Sequence, residues 1–276
     1  MTKKKYGIIG KPLSHSQSPM LHNSWFKKYK MNANYSLIEI DENQIESVIK
    51  KIREKELVGI NVTTPYKQAV IPFLDSIINE AKDTFSVNTI YLNNNNEIIG
   101  ENTDVYGFDC AFMNQIKKNN LKEKKTLVLG AGGVTPSIIY CLIKEKIKKI
   151  FISNKTMQKA KNIKEIYPLI EIVPWENIND AVEDMDIIIN TTSLGMINGN
   201  DFEKTFKKTK SGVIYYDIIY NPLETKMIKN FKDKGSRTFN GLEMFLRQGQ
   251  ESFFIWNKIK PEINKELEKE IISGIK

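Results

Sequence analysis

The hydrophobic pattern changes period many times along the chain. Short runs of β-branched and aromatic residues alternate with stretches whose apolar positions recur every three or four residues. The first kind predicts buried strands and the second amphipathic helices. Tyr6–Gly10 reads as a strand, and Leu21, Trp25 and Tyr29 then share one face of a helix opening near Ser18-Pro19. Tyr35–Ile40 and Val58–Val62 are further strands, with a helix over about Glu42–Glu54 between them. After helical segments to about Asp83, Ser86–Tyr91 and Glu97–Ile99 form an expected hairpin around Asn93–Asn96. The second half predicts strands at Thr126–Leu129, Lys149–Ser153, Asp186–Asn190, Val213–Ile218 and Arg237–Phe239, then a helix from about Leu242 to Trp256. Strands alternating with crossover-length helices give an α/β chain with mainly parallel sheets. No internal repeat or low-complexity linker interrupts the pattern, so helices are expected to join its two lobes.

Composition narrows the class only a little. A chain of 276 residues, 41% hydrophobic and 27% charged, has the make-up of an ordinary globular protein with ample core. Its formal net charge of +8 comes almost wholly from lysine. No helix gathers those lysines into a dense stripe with aromatic interleaving, so nucleic-acid binding is not expected, although a mild positive field favours anionic ligands. Cys110 and Cys141 lack CxxC spacing and read as buried thiols. With His15 and His22 as the only histidines, a multi-histidine metal site is not expected. Neither an apolar signal-peptide core nor a membrane-length run is present, which gives an expected cytoplasmic location and no membrane partner.

The stretch with the most chemistry is Asn61-Val62-Thr63-Thr64-Pro65-Tyr66-Lys67. Pro65 ends the strand and suits a first helical turn, so Asn61, Thr63 and Lys67 are expected at a strand-to-helix corner. Ligands of open α/β sheets lie beyond the carboxyl ends of strands. A lysine there is either one more solvated charge or a proton donor. Asp104, after Gly100-Glu101-Asn102-Thr103, either caps a helix starting near Val105 or faces Lys67 and orients its ammonium. Ser18 before Pro19 is a natural N-cap, whereas Ser16 has no such task. The two hydroxyls together also make a cradle for a carboxylate at a helix N-terminus.

In the second lobe, Gly130-Ala131-Gly132-Gly133-Val134 lies between an apolar strand and a helix. Strand, glycine turn, helix, strand is a dinucleotide-binding unit, although Thr135 stands at the third glycine position of G-x-G-x-x-G. A carboxylate at the end of the next strand would select NAD. Here stand Asn154, Lys155, Thr156 and, one turn later, Lys159, so NADP is favoured. In so lysine-rich a chain the missing carboxylate says more than the two lysines. The loops Thr191–Met196 and Tyr220-Asn221-Pro222 leave strand ends on the side expected to face a nicotinamide.

Taken together these stretches resemble the shikimate dehydrogenase family along nearly the whole chain. The resemblance is carried by Ser14-His15-Ser16-Gln17-Ser18-Pro19, Asn61–Lys67, Ser86-Val87-Asn88-Thr89, Asn102-Thr103-Asp104 and Gly130–Gly133. It continues through Asn154-Lys155-Thr156, Asn190–Met196, Tyr220-Asn221-Pro222 and Gly241-Leu242-Glu243-Met244 with Gln248. It implies a substrate domain from residues 1–104 with 240–276 and a Rossmann-like NADP-binding domain from 105–239. It also implies hydride transfer between NADP(H) and the 3-position of shikimate or 3-dehydroshikimate. By the same resemblance Lys67 is the general acid and base and Asp104 its partner. Ser16, Ser18, Asn61, Thr63, Asn88, Tyr220 and Gln248 hold the substrate. Gly130 to Val134 hold the pyrophosphate, Asn154 to Lys159 the 2′-phosphate, and Ile218 and Gly241 approach the nicotinamide through their backbones. Four positions depart from the family pattern: Val105 and Glu243 stand where glycine is frequent, and Lys155 and Lys159 where arginine is usual. Lysine lacks arginine's bidentate, stacked grip on phosphate and adenine.

The nearest alternative is a quinate/shikimate dehydrogenase with relaxed substrate or NAD use. The paired Ser16 and Ser18 favour shikimate. An alternative of another class is a catalytically silent NADP-binding sensor, against which the intact Lys67 and Asp104 argue. The oligomeric state is left as monomer or homodimer.

Overall fold

The computed structural model describes residues 2–116, 121–197, 199–203 and 206–275. The chain divides into two compact units, one of residues 1–107 with 246–275 and one of 108–245. Both crossings between them fall inside helices, Asp104–Phe108 and Leu242–Asn257. Among the described residues no helix is long and apolar enough to cross a membrane.

The first unit is built on a six-stranded sheet of β1 (Lys4–Gly10), β2 (Ala33–Glu39), β3 (Gly59–Val62), β4 (Ser76–Ile77), β5 (Thr89–Leu92) and β6 (Ile98–Glu101), in the order β2-β1-β3-β5-β6-β4. β1 runs parallel to β2 and β3, while β5 is antiparallel to both β3 and β6. The sheet is therefore mixed: β5 and β6 form an antiparallel hairpin, and β5 also lies antiparallel to β3 across a long connection. The helix Ile45–Arg53 buries Ile45, Val48, Ile49 and Ile52 against Ile9, Ile60, Val62 and Ile90 of the sheet. That face follows from apolar residues at three- and four-residue spacing.

An aromatic cluster fills another part of this unit. Trp25 and Phe26, from the helix Ser18–Lys28, meet Phe253 of the helix Leu242–Asn257 at centroid distances of 5.4 and 5.3 Å. Tyr6 of β1 lies 5.3 Å from Trp256 of the same helix. His22 is sealed among these rings, stacked on Tyr35 at 4.4 Å, and neither ring nitrogen has a hydrogen-bond partner among the described residues. Burial pushes its pKa down to about 3, so the imidazole is neutral and serves as one more ring of the core.

Two local expectations are corrected, and one strand is added. Pro65 opens no helix: it follows a cis bond, and the chain turns through residues 64–70 to the short 3₁₀ turn Ile71–Phe73. A second proline at position 72 leaves too little chain between the two for a helix to establish itself. Ser18 is not the N-cap of its helix but lies within the first turn. Its backbone N–H instead donates to Ser16 Oγ at 3.3 Å, so the terminal hydrogen bond belongs to Ser16. The last strand of the first-unit hairpin pairs on its far side with β4, whose two residues are too few for a sequence pattern to reveal.

The second unit carries β7 (Lys125–Leu129), β8 (Lys149–Ser153), β9 (Glu171–Ile172), β10 (Ile187–Asn190), β11 (Ile214–Asp217) and β12 (Arg237–Phe239). Their order is β12-β11-β10-β7-β8-β9, with every pairing parallel. The sheet reads 3-2-1-4-5-6 from β9, the doubly wound arrangement whose order reverses between β7 and β10. Leu127, Leu129, Ile188 and Tyr215 pack one face of it against Ile178, Phe206, Ile228 and Phe231. Cys110 is half-buried, Cys141 is buried, and neither is part of a disulfide.

Phe253→Ala is expected to destabilise the protein by about 3–5 kcal/mol, read as a lower urea midpoint. An unchanged midpoint would show that the returning helix does not complete the first unit's core. His22 also sets a pH dependence. Its folded-state pKa is depressed, so between about pH 6.5 and 3 the unfolded chain binds a proton that the folded chain refuses, and stability falls as pH falls through that window. His22→Phe is expected to flatten the stability–pH curve there by up to about 1.4 kcal/mol per pH unit, and parallel curves would contradict this.

Candidate active site

The site in the first unit starts from β3 and the turn that follows it. Asn61, one residue from the end of β3, is buried and hydrogen-bonds protein groups through both its amide oxygen and nitrogen. Its Oδ1 accepts the Tyr35 hydroxyl at 2.7 Å, and its Nδ2 reaches Asn88 O at 2.9 Å, Ser252 Oγ at 2.9 Å and Thr89 Oγ1 at 3.2 Å. Beyond the strand, Tyr66 donates its backbone N–H to Thr63 O and its hydroxyl to Ile40 O at 2.8 Å. Lys67 then offers its carbonyl to Val87 N–H at 2.9 Å. These bonds fix the backbone on both sides of the Lys67 side chain. Thr63 is half-buried beside them.

Lys67 and Asp104 form a buried ion pair, Nζ to Oδ2, with side-chain exposures of 9% and 7%. Of the two readings for Asp104, the structure shows the pairing: Asp104 is the first residue of the helix Asp104–Phe108, and Asn102 Oδ1 takes its N–H at 3.0 Å. Asp104 Oδ1 also lies 3.0 Å from Asn88 Nδ2, which is within reach of Thr103 Oγ1 (2.9 Å) and Gln248 Oε1 (3.5 Å) as well. Asn88 Oδ1 in turn accepts Thr103 N–H at 2.8 Å. Asn88 thus orients the carboxylate that orients the lysine. Two charges removed from water seldom stabilise a fold, because desolvation offsets their attraction. A pair kept under those conditions points to chemistry.

Ser16 and Ser18 also come together, Oγ to Oγ at 3.2 Å, at the amino end of the helix Ser18–Lys28. Two hydroxyls and a helix N-terminus are a natural seat for an anion. Sequence reasoning did not single out Thr103 and Ser252. Ser252 Oγ lies 2.8 Å from Thr89 Oγ1 and 3.1 Å from Thr103 Oγ1, so it closes the polar cluster behind Asn61 and Asn88. One signal was available: Ser252 stands four residues after Gln248 on the same helix, and donates to its carbonyl at 3.0 Å.

In the second unit the glycine turn leaves β7 at the point where strand order reverses. Gly130 has φ +112°, a conformation closed to most side chains, and an added Cβ would lie 2.6 Å from Thr191 Oγ1. Its N–H donates to Ser153 O at 2.8 Å, and Ala131 N–H to Asn154 Oδ1 at 3.1 Å, which bind the turn to the end of β8. Thr135, at the third glycine position, is fully buried. Its Oγ1 accepts Gly132 N–H at 3.1 Å and donates to Gly130 O at 3.3 Å, so a hydroxyl closes the turn that a third glycine would merely permit. Gly132 faces open space: an added Cβ would meet nothing within 4 Å. Gly133 and Val134 follow it, half-buried, into the helix Thr135–Lys144.

At the end of β8, Asn154 is half-buried, and Lys155, Thr156 and Lys159 are exposed. Lys155 Nζ lies 3.1 Å from Glu203 Oε1 and 5.9 Å from the centroid of Trp175. Both ends of that ion pair are solvated, so it holds Lys155 weakly. No carboxylate occupies residues 153–159. An open glycine turn at a helix N-terminus, followed by amide, hydroxyl and ammonium groups, fits a dinucleotide with a 2′-phosphate. Further along the sheet, Ile218 N–H donates to Asn190 O at 3.1 Å, and Gly241 N–H to Ile219 O at 2.9 Å. A Cβ on Gly241 would lie 1.9 Å from Ile218 O, so only glycine lets these two backbones meet. Tyr220 stacks on Phe245 at 4.4 Å.

Comparison with known proteins agrees with both halves. Residues 8–90 match the family described as "Shikimate dehydrogenase substrate binding domain", and residues 113–233 match "Shikimate / quinate 5-dehydrogenase". A shikimate dehydrogenase (NADP(+)) of Pelagibacter ubique (strain HTCC1062) is 46% identical over 265 residues, 96% of this chain and 97% of its own. The crystal structure of shikimate dehydrogenase from Aquifex aeolicus superposes with a TM-score of 0.85 at 34% identity, covering 98% of this chain and 97% of that one. A shikimate dehydrogenase solved in complex with NADP+ gives a TM-score of 0.87 at 33% identity over 99% and 96% of the two chains. A buried lysine–aspartate pair in one unit, a glycine turn at the switch point of the other, and likeness over nearly the full length lead to one conclusion: this chain belongs to the shikimate dehydrogenase family.

Proposed function

We propose that this chain catalyses the reversible, NADPH-dependent reduction of 3-dehydroshikimate to shikimate, a step of aromatic amino-acid biosynthesis. The observation that carries the reading is the buried Lys67–Asp104 pair, in a chain whose other unit has the NADP-type strand end. When bound, NADP(H) supplies or takes up the hydride. The residues of the chain then have the remaining tasks.

Lys67 is oriented by Asp104, and it donates a proton to the substrate's carbonyl oxygen in reduction and recovers it in oxidation. Asp104 bonds a substrate hydroxyl with the capacity that Lys67 and Asn88 leave it. General acid–base help of this kind is worth about 10²–10⁴-fold in rate. Ser16 and Ser18 receive the substrate carboxylate. Asn61, Thr63, Asn88, Tyr220 and Gln248 supply the polar lining that a polyhydroxylated acid needs, since a buried hydroxyl without a partner costs about 1–3 kcal/mol. Gly130, Ala131, Gly132, Gly133 and Val134 receive the pyrophosphate, and Asn154, Lys155, Thr156 and Lys159 the 2′-phosphate. Ile218 and Gly241 present backbone to the nicotinamide. The corresponding domains are a substrate domain, 1–104 with 240–276, which also carries Gly241, and an NADP-binding domain, 105–239, which also carries Tyr220.

One observation favours a second reading, a dehydrogenase with relaxed cofactor or substrate use. Lys155 and Lys159 are exposed point charges, and Lys155 already has Glu203 as a partner. Their hold on a 2′-phosphate is therefore looser than a pair of arginines would give.

Initial rates with shikimate and with quinate, each with NADP+ and NAD+, decide between these. Turnover restricted to shikimate with NADP+ supports the main reading, comparable rates with quinate or NAD+ the broader one, and NADP binding without turnover a silent sensor. Lys67→Ala is expected to lower kcat by about 10²–10⁴-fold while KM for shikimate stays near its original value. Undiminished turnover would remove Lys67 from the acid–base role. Lys155→Ala combined with Lys159→Ala is expected to raise KM for NADP+ about tenfold or more and to leave KM for NAD+ little changed. Equal loss with both cofactors would place the two lysines elsewhere.

A further inference from the structure

The second unit seals one more ionisable group away from water, and no task has yet been found for it. Asp217, the last residue of β11, has no exposed surface, and no lysine or arginine pairs with it among the described residues. Donors converge on its carboxylate instead. Asn190 Nδ2 (3.0 Å) and Ile219 N–H (3.1 Å) donate to Oδ1. The hydroxyls of Thr225 (2.8 Å) and Tyr215 (3.2 Å) donate to Oδ2. Burial raises the pKa to about 6, opposed by these hydrogen bonds, so the group is an anion at neutral pH.

What the donors have in common is their position. Asn190 and Asp217 are register partners at the carboxyl ends of β10 and β11. Asn190 Oδ1 accepts the Thr192 N–H (3.0 Å) and hydroxyl (2.7 Å), fixing the loop after β10. Ile219, held by Asp217 through its N–H, accepts Gly241 N–H through its carbonyl, and Gly241 packs against Ile218 O. Thr225 caps the helix Lys226–Asp233 by accepting Ile228 N–H at 3.2 Å. One carboxylate therefore sets the loops after β10 and β11 and, through Ile219, the loop after β12. All three leave strand ends on the opposite side of the switch point from the glycine turn. A dinucleotide bound at the glycine turn and extended across the sheet brings its nicotinamide end over them.

We propose that Asp217 is a positioning residue for hydride transfer, holding the backbone of Ile218–Ile219, Gly241 and the Thr191–Leu194 turn in the one arrangement that sets the angle of the nicotinamide ring. The proposal rests on the dehydrogenase reading above. A carboxylate suits the task because both oxygens only accept, whereas an amide in its place turns a donor toward one of the existing donors. Displacement of a reacting group by about 1 Å costs on the order of 10²-fold in rate, so loosening one of these loops has a large kinetic effect.

The test compares wild-type protein with Asp217→Asn in steady-state kinetics with shikimate and NADP+, alongside inhibition by adenosine 2′,5′-bisphosphate. That probe reports the adenine and 2′-phosphate end alone. The expected result is a fall in kcat of about tenfold or more with the inhibition constant within about twofold of wild type. If Asp217→Asn does not fold by circular dichroism, Tyr215→Phe serves. It removes one donor, keeps the ring stacked 4.4 Å from Phe231, and is expected to show the same split on a smaller scale. An unchanged kcat in a folded variant, or probe binding lost in step with kcat, overturns the positioning role. Failure of wild-type turnover in the same assay overturns the dehydrogenase reading, and this proposal with it.

Discussion

A charge taken out of water must be met by the protein, and much of this structure follows from meeting two such charges. Lys67 and Asp104 leave solvent together, and neither could do so alone without several kcal/mol of uncompensated desolvation. The consequence spreads outward. Asp104 needs its second oxygen filled, which Asn88 does, and Asn88 needs its own oxygen filled, which Thr103 does. Asn61, Thr89 and Ser252 complete the set from two strands and a helix. Each added member satisfies a buried polar atom that the previous one created. The result is a hydrogen-bonded support behind the buried ion pair.

The second unit solves a different problem with the same geometry. Its central strands β7 and β10 are buried almost throughout, so their ends are the part available for chemistry. At the carboxyl ends stand a glycine turn, a strand end without carboxylate, and the loops anchored by Asn190 and Asp217. The reversal of strand order between β7 and β10 opens the crevice those groups line. Parallel topology thus decides where the ligand goes, and the residues at the ends decide which ligand it is.

Most of this was legible in the chain because its strands are long enough to show a period. β8 and β12 carry the bounds read from the sequence, and the helix over Ile45–Arg53 shows its apolar face there. β4 and β9 escaped because two residues have no period. Pro65 misled because proline favours helix starts only on average, and the backbone at Thr64–Pro65 takes a different path. Among site residues, Lys67 and Asp104 stood out by position after predicted strands, whereas Thr103, Ser252 and Asp217 did not. Their importance lies in which distant atom they touch, and a hydroxyl or carboxylate beside an apolar run looks the same whether it ends a strand or anchors three loops.

The path of the chain through its two units has a consequence for synthesis. The second unit is one continuous stretch, while the first is assembled from opposite ends of the polypeptide. A ribosome therefore releases every strand of the NADP-type sheet before the helix that carries Phe253 and Trp256 emerges. Until then Trp25, Phe26 and His22 lack the rings that cover them, and the substrate half of the molecule waits with an open aromatic face. The returning helix follows the whole second unit in the chain and completes the first, so during synthesis there is a stage at which every strand of the second sheet has emerged while the aromatic core of the first unit is still open.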